Sequence, residues 1–201
     1  MPSPRIPALR RGERVHVRAP RPDDARPFLA AVRASSALHD GWVSPPATRA
    51  RFDDYLARFV APSRGLAEAR HAGVVVVRNS DDALVGVFNF SEIVRGAFQS
   101  AYLGYYVFAP HAGRGYMRQG LALALDYAFG TLKLHRVEVN IQPVNMRSLA
   151  LVEGAGFVRE GFSRRYVKIG GRWRDHVRCA LLAEDWRAAK RRARRAEEDA
   201  R

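Results

Sequence analysis

Phe108-Ala-Pro-His-Ala-Gly-Arg-Gly-Tyr-Met-Arg-Gln-Gly-Leu121 is the stretch on which the fold turns. An apolar run ends at Phe108, breaks at Pro110, passes Gly113 and Gly115, and a helical pattern follows. Strand, glycine-rich turn and helix N-terminus in succession leave backbone N–H groups free at the positive end of a helix dipole. That is an anion site, and phosphate is its commonest occupant. Arg114 and Arg118 add full positive charges at its mouth. Many plain turns share such a motif, so its ligand has to be read from its surroundings.

Upstream of it, Arg14–Arg18 alternates with period two and predicts a strand. Pro22-Asp-Asp24 begins a helix to about Val32, with acidic residues in its first turn. Ser44-Pro-Pro46 is a cap for a second helix, with Phe52, Tyr55, Leu56 and Phe59 on one face. Val74–Val77 and Leu84–Glu92 are strands joined by the turn Asn79–Asp82, and Phe98–Phe108 is the next strand. Downstream, Met117, Leu121, Ala124, Leu125 and Ala128 recur at helical spacing. The strand His135–Ile141 follows, then a short helix Asn145–Glu153 stopped by Gly154 and Gly156. Phe157–Ile169 and Trp173–Leu182 form a last hairpin across Gly170-Gly171, and a charged helix runs from Glu184. Hairpins first and alternation later predict an α+β chain with a mixed sheet.

The 201 residues fit one domain, and 47% hydrophobic content supplies a core. We expect residues 1–12 to be a basic extension, 13–186 the domain and 187–201 a charged tail. No apolar run reaches the roughly 18 residues of a membrane span, so no membrane partner is expected. The N-terminal Arg5, Arg10 and Arg11 stand without an apolar h-region, so no secretory signal is expected, and the single Cys179 in an apolar alternation reads as buried filler in a reducing cytoplasm. The net charge of +14 favours encounter with polyanions, RNA or a phosphate-bearing cofactor, without choosing between them.

Three rival phosphate or metal motifs fail. The third glycine and the acidic residue of a dinucleotide fingerprint are out of register, and no Gly-Lys-Ser/Thr completes a P-loop. The six histidines lack a His-x-x-x-His or Cys pairing, so no metal is expected. A second element does fit. Asn145 and Ser148 sit at the start of the short helix, one helix and one strand after the glycine turn, and a right-handed crossover brings both strand ends to one sheet edge. Capping alone would also account for that pair.

These elements resemble the GNAT superfamily of acetyl-CoA-dependent N-acetyltransferases, and within it the ribosomal-protein-alanine acetyltransferases of the RimJ/RimL kind. The resemblance runs from about Glu13 to Trp186. It rests on Asn89-Phe-Ser-Glu-Ile-Val-Arg-Gly96, Ala101-Tyr-Leu-Gly-Tyr105, Gly113-Arg-Gly-Tyr-Met117, Asn145-x-x-Ser148 and Gly171-Arg-Trp-Arg-Asp-His176. It implies a mostly antiparallel central sheet flanked by helices, in which the fourth and fifth strands (Phe98–Phe108 and His135–Ile141) splay apart to admit CoA. It also implies acetyl-CoA as cosubstrate, its pyrophosphate held by Gly113, Arg114, Gly115, Tyr116, Met117 and Arg118. Tyr105 and Val107 lie at the strand end that offers an N–H to the thioester oxygen. Asn145 would hold the pantetheine arm, and Ser148 would sit near the sulfur. Ala112 departs from the usual Gln or Arg that opens the motif; binding through backbone amides makes that tolerable.

The chemistry asks for a neutral amine, a donor to the carbonyl oxygen and a proton for the leaving thiolate, which Ser148 can supply. Glu92, Glu160, Asp175 and His176 are candidate bases. Glu92 is placed at the acceptor amine. Asp175 is read as a carboxylate on the apolar strand face paired to an Arg, and His176 as solvated on the opposite face. An α-amine is about 10–20% neutral at physiological pH and a lysine amine only about one part in a thousand, so a site without an obvious base leans to α-amines. The expected acceptor is a protein N-terminus, by resemblance that of a ribosomal protein. A small amine (amino sugar, polyamine or antibiotic) is the alternative, and a non-catalytic CoA- or RNA-binding module a third. The basic run Lys190–Arg195 would give weak RNA or ribosome contact, and the chain would be a monomer or homodimer.

Overall fold

A computed structural model describes residues 8–59 and 68–199. An eight-stranded sheet runs in the order β1-β2-β3-β4-β5-β6-β8-β7. The strands are β1 (Arg10–Arg11), β2 (Val15–Arg18), β3 (Ala72–Arg78), β4 (Leu84–Val94), β5 (Ser100–Val107), β6 (Arg136–Ile141), β7 (Val158–Ile169) and β8 (Arg172–Leu182). Every neighbouring pair is antiparallel except β5 and β6. The helices are α1 (Ala25–Ala34), α2 (Ser36–His39), α3 (Arg49–Phe59), α4 (Tyr116–Gly130), α5 (Met146–Glu153) and α6 (Ala183–Asp199). This is the mixed α+β sheet flanked by helices that the pattern predicted, with β5 and β6 as the expected fourth and fifth strands. No helix among the described residues is long and apolar enough to cross a membrane.

The sheet's alternation builds two cores. One holds Val74, Val76, Phe88, Phe90 and Leu103 against Leu121, Ala124, Leu125 and Ala128 of α4 and against Leu149 and Val152 of α5. The other packs Phe28 and Val32 of α1 and Phe52 and Tyr55 of α3 on Val75, Val77, Val87 and Phe108. The Phe28 ring is 4.9 Å from Phe52 and meets Phe108 edge-on at 5.4 Å. Burying each such ring contributes about 1.5–3 kcal/mol.

The edges of the elements differ from expectation in instructive ways. α3 starts at Arg49 and not at Ser44: Pro46 forces Pro45 into extended backbone, so the chain turns helical only where Thr48 Oγ1 accepts the Arg51 N–H at 3.3 Å. The one-turn helix α2 carries no periodicity and was not predicted. Arg10 and Arg11, placed in the basic extension, pair with Val17 and His16 as β1. Arg10 Nη2 also donates to Thr131 Oγ1 at 2.7 Å, docking that segment on the end of α4. α6 continues straight from β8, and Asp126 on α4 accepts from Trp186 Nε1 and Lys190 Nζ, anchoring its first turns.

Candidate active site

The site is a gap in the sheet. β5 and β6 pair only over Ser100–Tyr102 and Arg136–Glu138. Beyond that, β5 stays bonded to β4 through Val107, and β6 stays bonded to β8 through Ile141. Each strand is held by its outer partner and they diverge, so the facing edges beyond Tyr102 and Glu138 offer polar backbone with no ladder partner. Unpaired strand edges of this kind pair with an added amide-bearing segment.

At the open end of the gap, β5 runs into a 3-10 turn at Ala109–His111 and then the glycine turn. Gly113 and Gly115 have φ of 73° and 77°, the left-handed region in which a side chain is strained. Gly115 is the N-cap of α4. Among the described residues, no backbone or side-chain acceptor takes the N–H groups of Gly113 through Arg118; the first satisfied amide is that of Gln119. Six unpaired donors around one helix terminus make a strong anion cradle. A pocket of about 420 Å³ beside it is walled by Arg14, Gly115, Tyr116, Arg118 and Gln119. Sequence reasoning missed Arg14, whose guanidinium lies 4.4 Å from the Tyr116 ring centre, with Arg78 at 5.9 Å. Hydrogen bonding to Arg78 and Arg14 pulls the Tyr116 phenol below its ordinary range. No motif marks Arg14; the Gln119 side chain, accepting the Arg14 and Val15 N–H groups at 2.9 Å each, and the packing of Val15 and Val17 in the core with α4 bring β2 beside the cradle.

Across the gap, Asn145 caps α5, its side chain accepting the Ser148 N–H at 3.1 Å. The capping role is real, and it leaves the Asn145 NH₂ as the group available to a ligand carbonyl. Tyr105 spans the gap: its hydroxyl donates to the Ser148 backbone oxygen at 3.1 Å, and burial pushes the phenol up to about 12. Tyr105, Asn145 and Ser148 therefore stand together. Met117 packs half-buried on the core beneath the cradle. Glu92 stands apart. It lies on β4 four residues beyond Phe88, the partner of Tyr105, which is about 13 Å along the strand. It sits in a bulge at φ 49° with its exposed carboxylate 3.5 Å from Arg58.

The two residues near the last hairpin change places. Asp175 is exposed, and its Oδ1 accepts the Arg165 backbone N–H at 2.7 Å rather than an arginine side chain. His176 is buried at 3% exposure, donating from Nδ1 to the Arg174 carbonyl, and burial lowers its pKa. The cause is register. β6 covers β8 only from Val177 onward, so Trp173 and Asp175 overhang the core, whereas a bulge at Arg165 folds Tyr166 over His176. Cys179 is buried, as expected.

Comparison with known proteins bears on these observations. A family described as "Acetyltransferase (GNAT) domain" matches residues 14–158. The probable N-acetyltransferase YjcK of Bacillus subtilis (strain 168) is 43% identical over 118 residues, 59% of this chain and 64% of that one. The [ribosomal protein uS5]-alanine N-acetyltransferase of Escherichia coli (strain K12) is 43% identical over 103 residues, 51% of this chain and 53% of that one. The chain thus spans about half to two thirds of the curated relatives it matches. Among solved structures, Mycobacterium smegmatis RimJ in complex with CoA-disulfide superposes with a TM-score of 0.76 at 28% identity, covering 85% of this chain and 82% of that one.

Proposed function

The chain belongs to the GNAT acetyltransferase family, and from that premise we propose that it transfers acetyl from acetyl-CoA to a primary amine, the N-terminal α-amine of a protein such as a ribosomal protein. The observation that carries the reading is the continuity of the six free amides at Gly113–Arg118 with the unpaired edges of β5 and β6. The cradle suits a pyrophosphate, and the gap suits the amide-bearing arm attached to it. Acetyl-CoA supplies the activated acyl group. Gly113, Arg114, Gly115, Tyr116, Met117 and Arg118 hold its phosphates, with Arg14 as a further cation. Asn145 steadies the arm, and the β5 end at Tyr105–Val107 offers an N–H to the carbonyl oxygen, a contribution of roughly 3 kcal/mol to the barrier. As the C–N bond forms and the C–S bond breaks, the Ser148 hydroxyl passes its proton to the leaving thiolate and takes up the one that the amine nitrogen loses, directly or through water. Glu92, beside Arg58 and about 13 Å along β4 from the partner of Tyr105, is given no part in the transfer. Holding the two reactants in one gap supplies much of the remaining acceleration.

A polyamine acceptor is the second reading, favoured by the spermidine N(1)-acetyltransferase of Vibrio cholerae, 32% identical over 107 residues. An acceptor panel of Ala- and Ser-initiated peptides, spermidine and amino sugars decides the matter by release of free CoA. Silence on every acceptor removes the enzymatic reading. Ser148→Ala is expected to lower kcat about 10- to 100-fold with CoA affinity within twofold; equal losses in both would reduce Ser148 to a binding residue. The exposed half of α6, carrying Lys190–Arg195, supports a weak RNA contact. Removing residues after Arg187 should weaken ribosome co-sedimentation at low salt, and an unchanged profile ends that idea.

A further inference from the structure

β7 and β8 run past the end of β6 as a two-stranded ribbon. β7 is the last strand of the sheet, and β6 covers β8 only from Val177 onward, so Arg172–His176 and the part of β7 opposite them have no third strand. Register sets what one face of this ribbon shows. Lys168 stands opposite Trp173 and Phe162 opposite Val177, and Trp173 and Val177, four residues apart on β8, share that face. Trp173 is 60% exposed and Phe162 54%, with about 13 Å between them along the strands. Positive charge surrounds the two rings. Residues 158–178 carry seven arginines and lysines against Glu160 and Asp175. Glu160 is taken up by Arg136, and Asp175 accepts the Arg165 N–H. Among the described residues, the exposed Arg164, Lys168 and Arg172 have no carboxylate partner.

The centre of a protein–protein contact is depleted of charge, whereas this face sets rings among cations. Rings among cations are how single-stranded nucleic acid is held: bases stack on the aromatic faces while the cations follow the phosphates. Bases paired inside a duplex present no such face. We infer that the β7–β8 ribbon binds single-stranded RNA, with Trp173 and Phe162 each stacking on a base and Arg164, Lys168 and Arg172 on the phosphates. None of these residues takes part in the acetyl transfer, and the ribbon binds with or without it. The surface is also distinct from the basic run of α6, because α6 starts at Ala183, ten residues and about 33 Å along β8 from Trp173.

Fluorescence anisotropy of a labelled oligouridine, titrated with the full chain and no acetyl-CoA, tests this. A Kd on the order of 10 μM is expected at low salt. Trp173→Ala should weaken binding about tenfold without changing its salt dependence, and Trp173→Phe should stay within about threefold. Arg164→Gln combined with Arg172→Gln should lower the slope of log Kobs against log salt by about 1.4, at about 0.7 for each phosphate contact. These positions are exposed, so melting temperatures should stay within about 2 °C of the wild type. No saturable binding by the wild type, or a Kd that Trp173→Ala leaves unchanged, overturns the inference. Equal affinity for a duplex of the same length also overturns it. If Trp173→Ala raises the KM of an Ala-initiated peptide and no RNA binds, the face belongs to a protein partner and the inference falls.

Discussion

Gly115→Asp is expected to weaken acetyl-CoA binding about 100-fold, or about 2.7 kcal/mol, with little change in thermal stability. The position is the N-cap of α4 at φ 77°, and a Cβ there meets only Arg14 Nη1, at 3.7 Å. Strain in the left-handed region costs on the order of 1–2 kcal/mol, and Asp is among the residues that tolerate it best. An N-cap carboxylate also accepts from the first helical amides, offsetting that cost. Those amides are the donors assigned to the pyrophosphate, so the new side chain competes for them. Its charge, about 5 Å from a phosphate, adds about 3 kcal/mol of repulsion at an effective dielectric near 20. Gly115→Asn carries the same strain without the charge and should lose no more than about tenfold. Calorimetric titration with CoA and a thermal melt read both quantities. Equal affinities for wild type and the Asp variant would remove the cradle from the cofactor site.

Asp24→Ala is expected to cost about 3–5 kcal/mol of folding stability. Asp24 and Arg18 are buried to 2% and 5% exposure and meet in a bidentate pair at 2.7 and 2.8 Å. Asp24 also accepts the Arg21 backbone N–H at 3.0 Å, closing the turn that launches α1. Removing the carboxylate leaves a buried guanidinium uncompensated, and that drives the loss. For a chain of this size the melting temperature should fall by about 6–20 °C. Arg18→Met combined with Asp24→Ala should recover part of the loss, because no charge is then stranded. A single-variant shift below about 2 °C would show that the Arg18 guanidinium is not stranded by loss of the carboxylate and would overturn the expectation.

The periodic elements were legible because their signals are local. The period-two run Val15–Arg18, the helical spacing from Met117 to Ala128 and the turn at Gly170-Gly171 each depend on a few neighbouring residues. The glycine turn was legible for the same reason. The Ser44 start was misread because a serine before two prolines satisfies a cap pattern while the prolines hold the chain extended. His176 and Asp175 were misread because alternation tells which residues share a face, but not where a neighbouring strand stops covering it.

The sequence by itself determined the strand–turn–helix cradle and the Asn145–Ser148 helix start, since backbone conformation there follows from glycine, proline and capping chemistry. Only the tertiary structure decided that β5 and β6 part after Tyr102 and Glu138, because that depends on each strand's outer partner. It alone placed Arg14 beside the cradle and Tyr105 on Ser148. Those contacts join residues 43 to 102 positions apart, and no local pattern carries information across that distance.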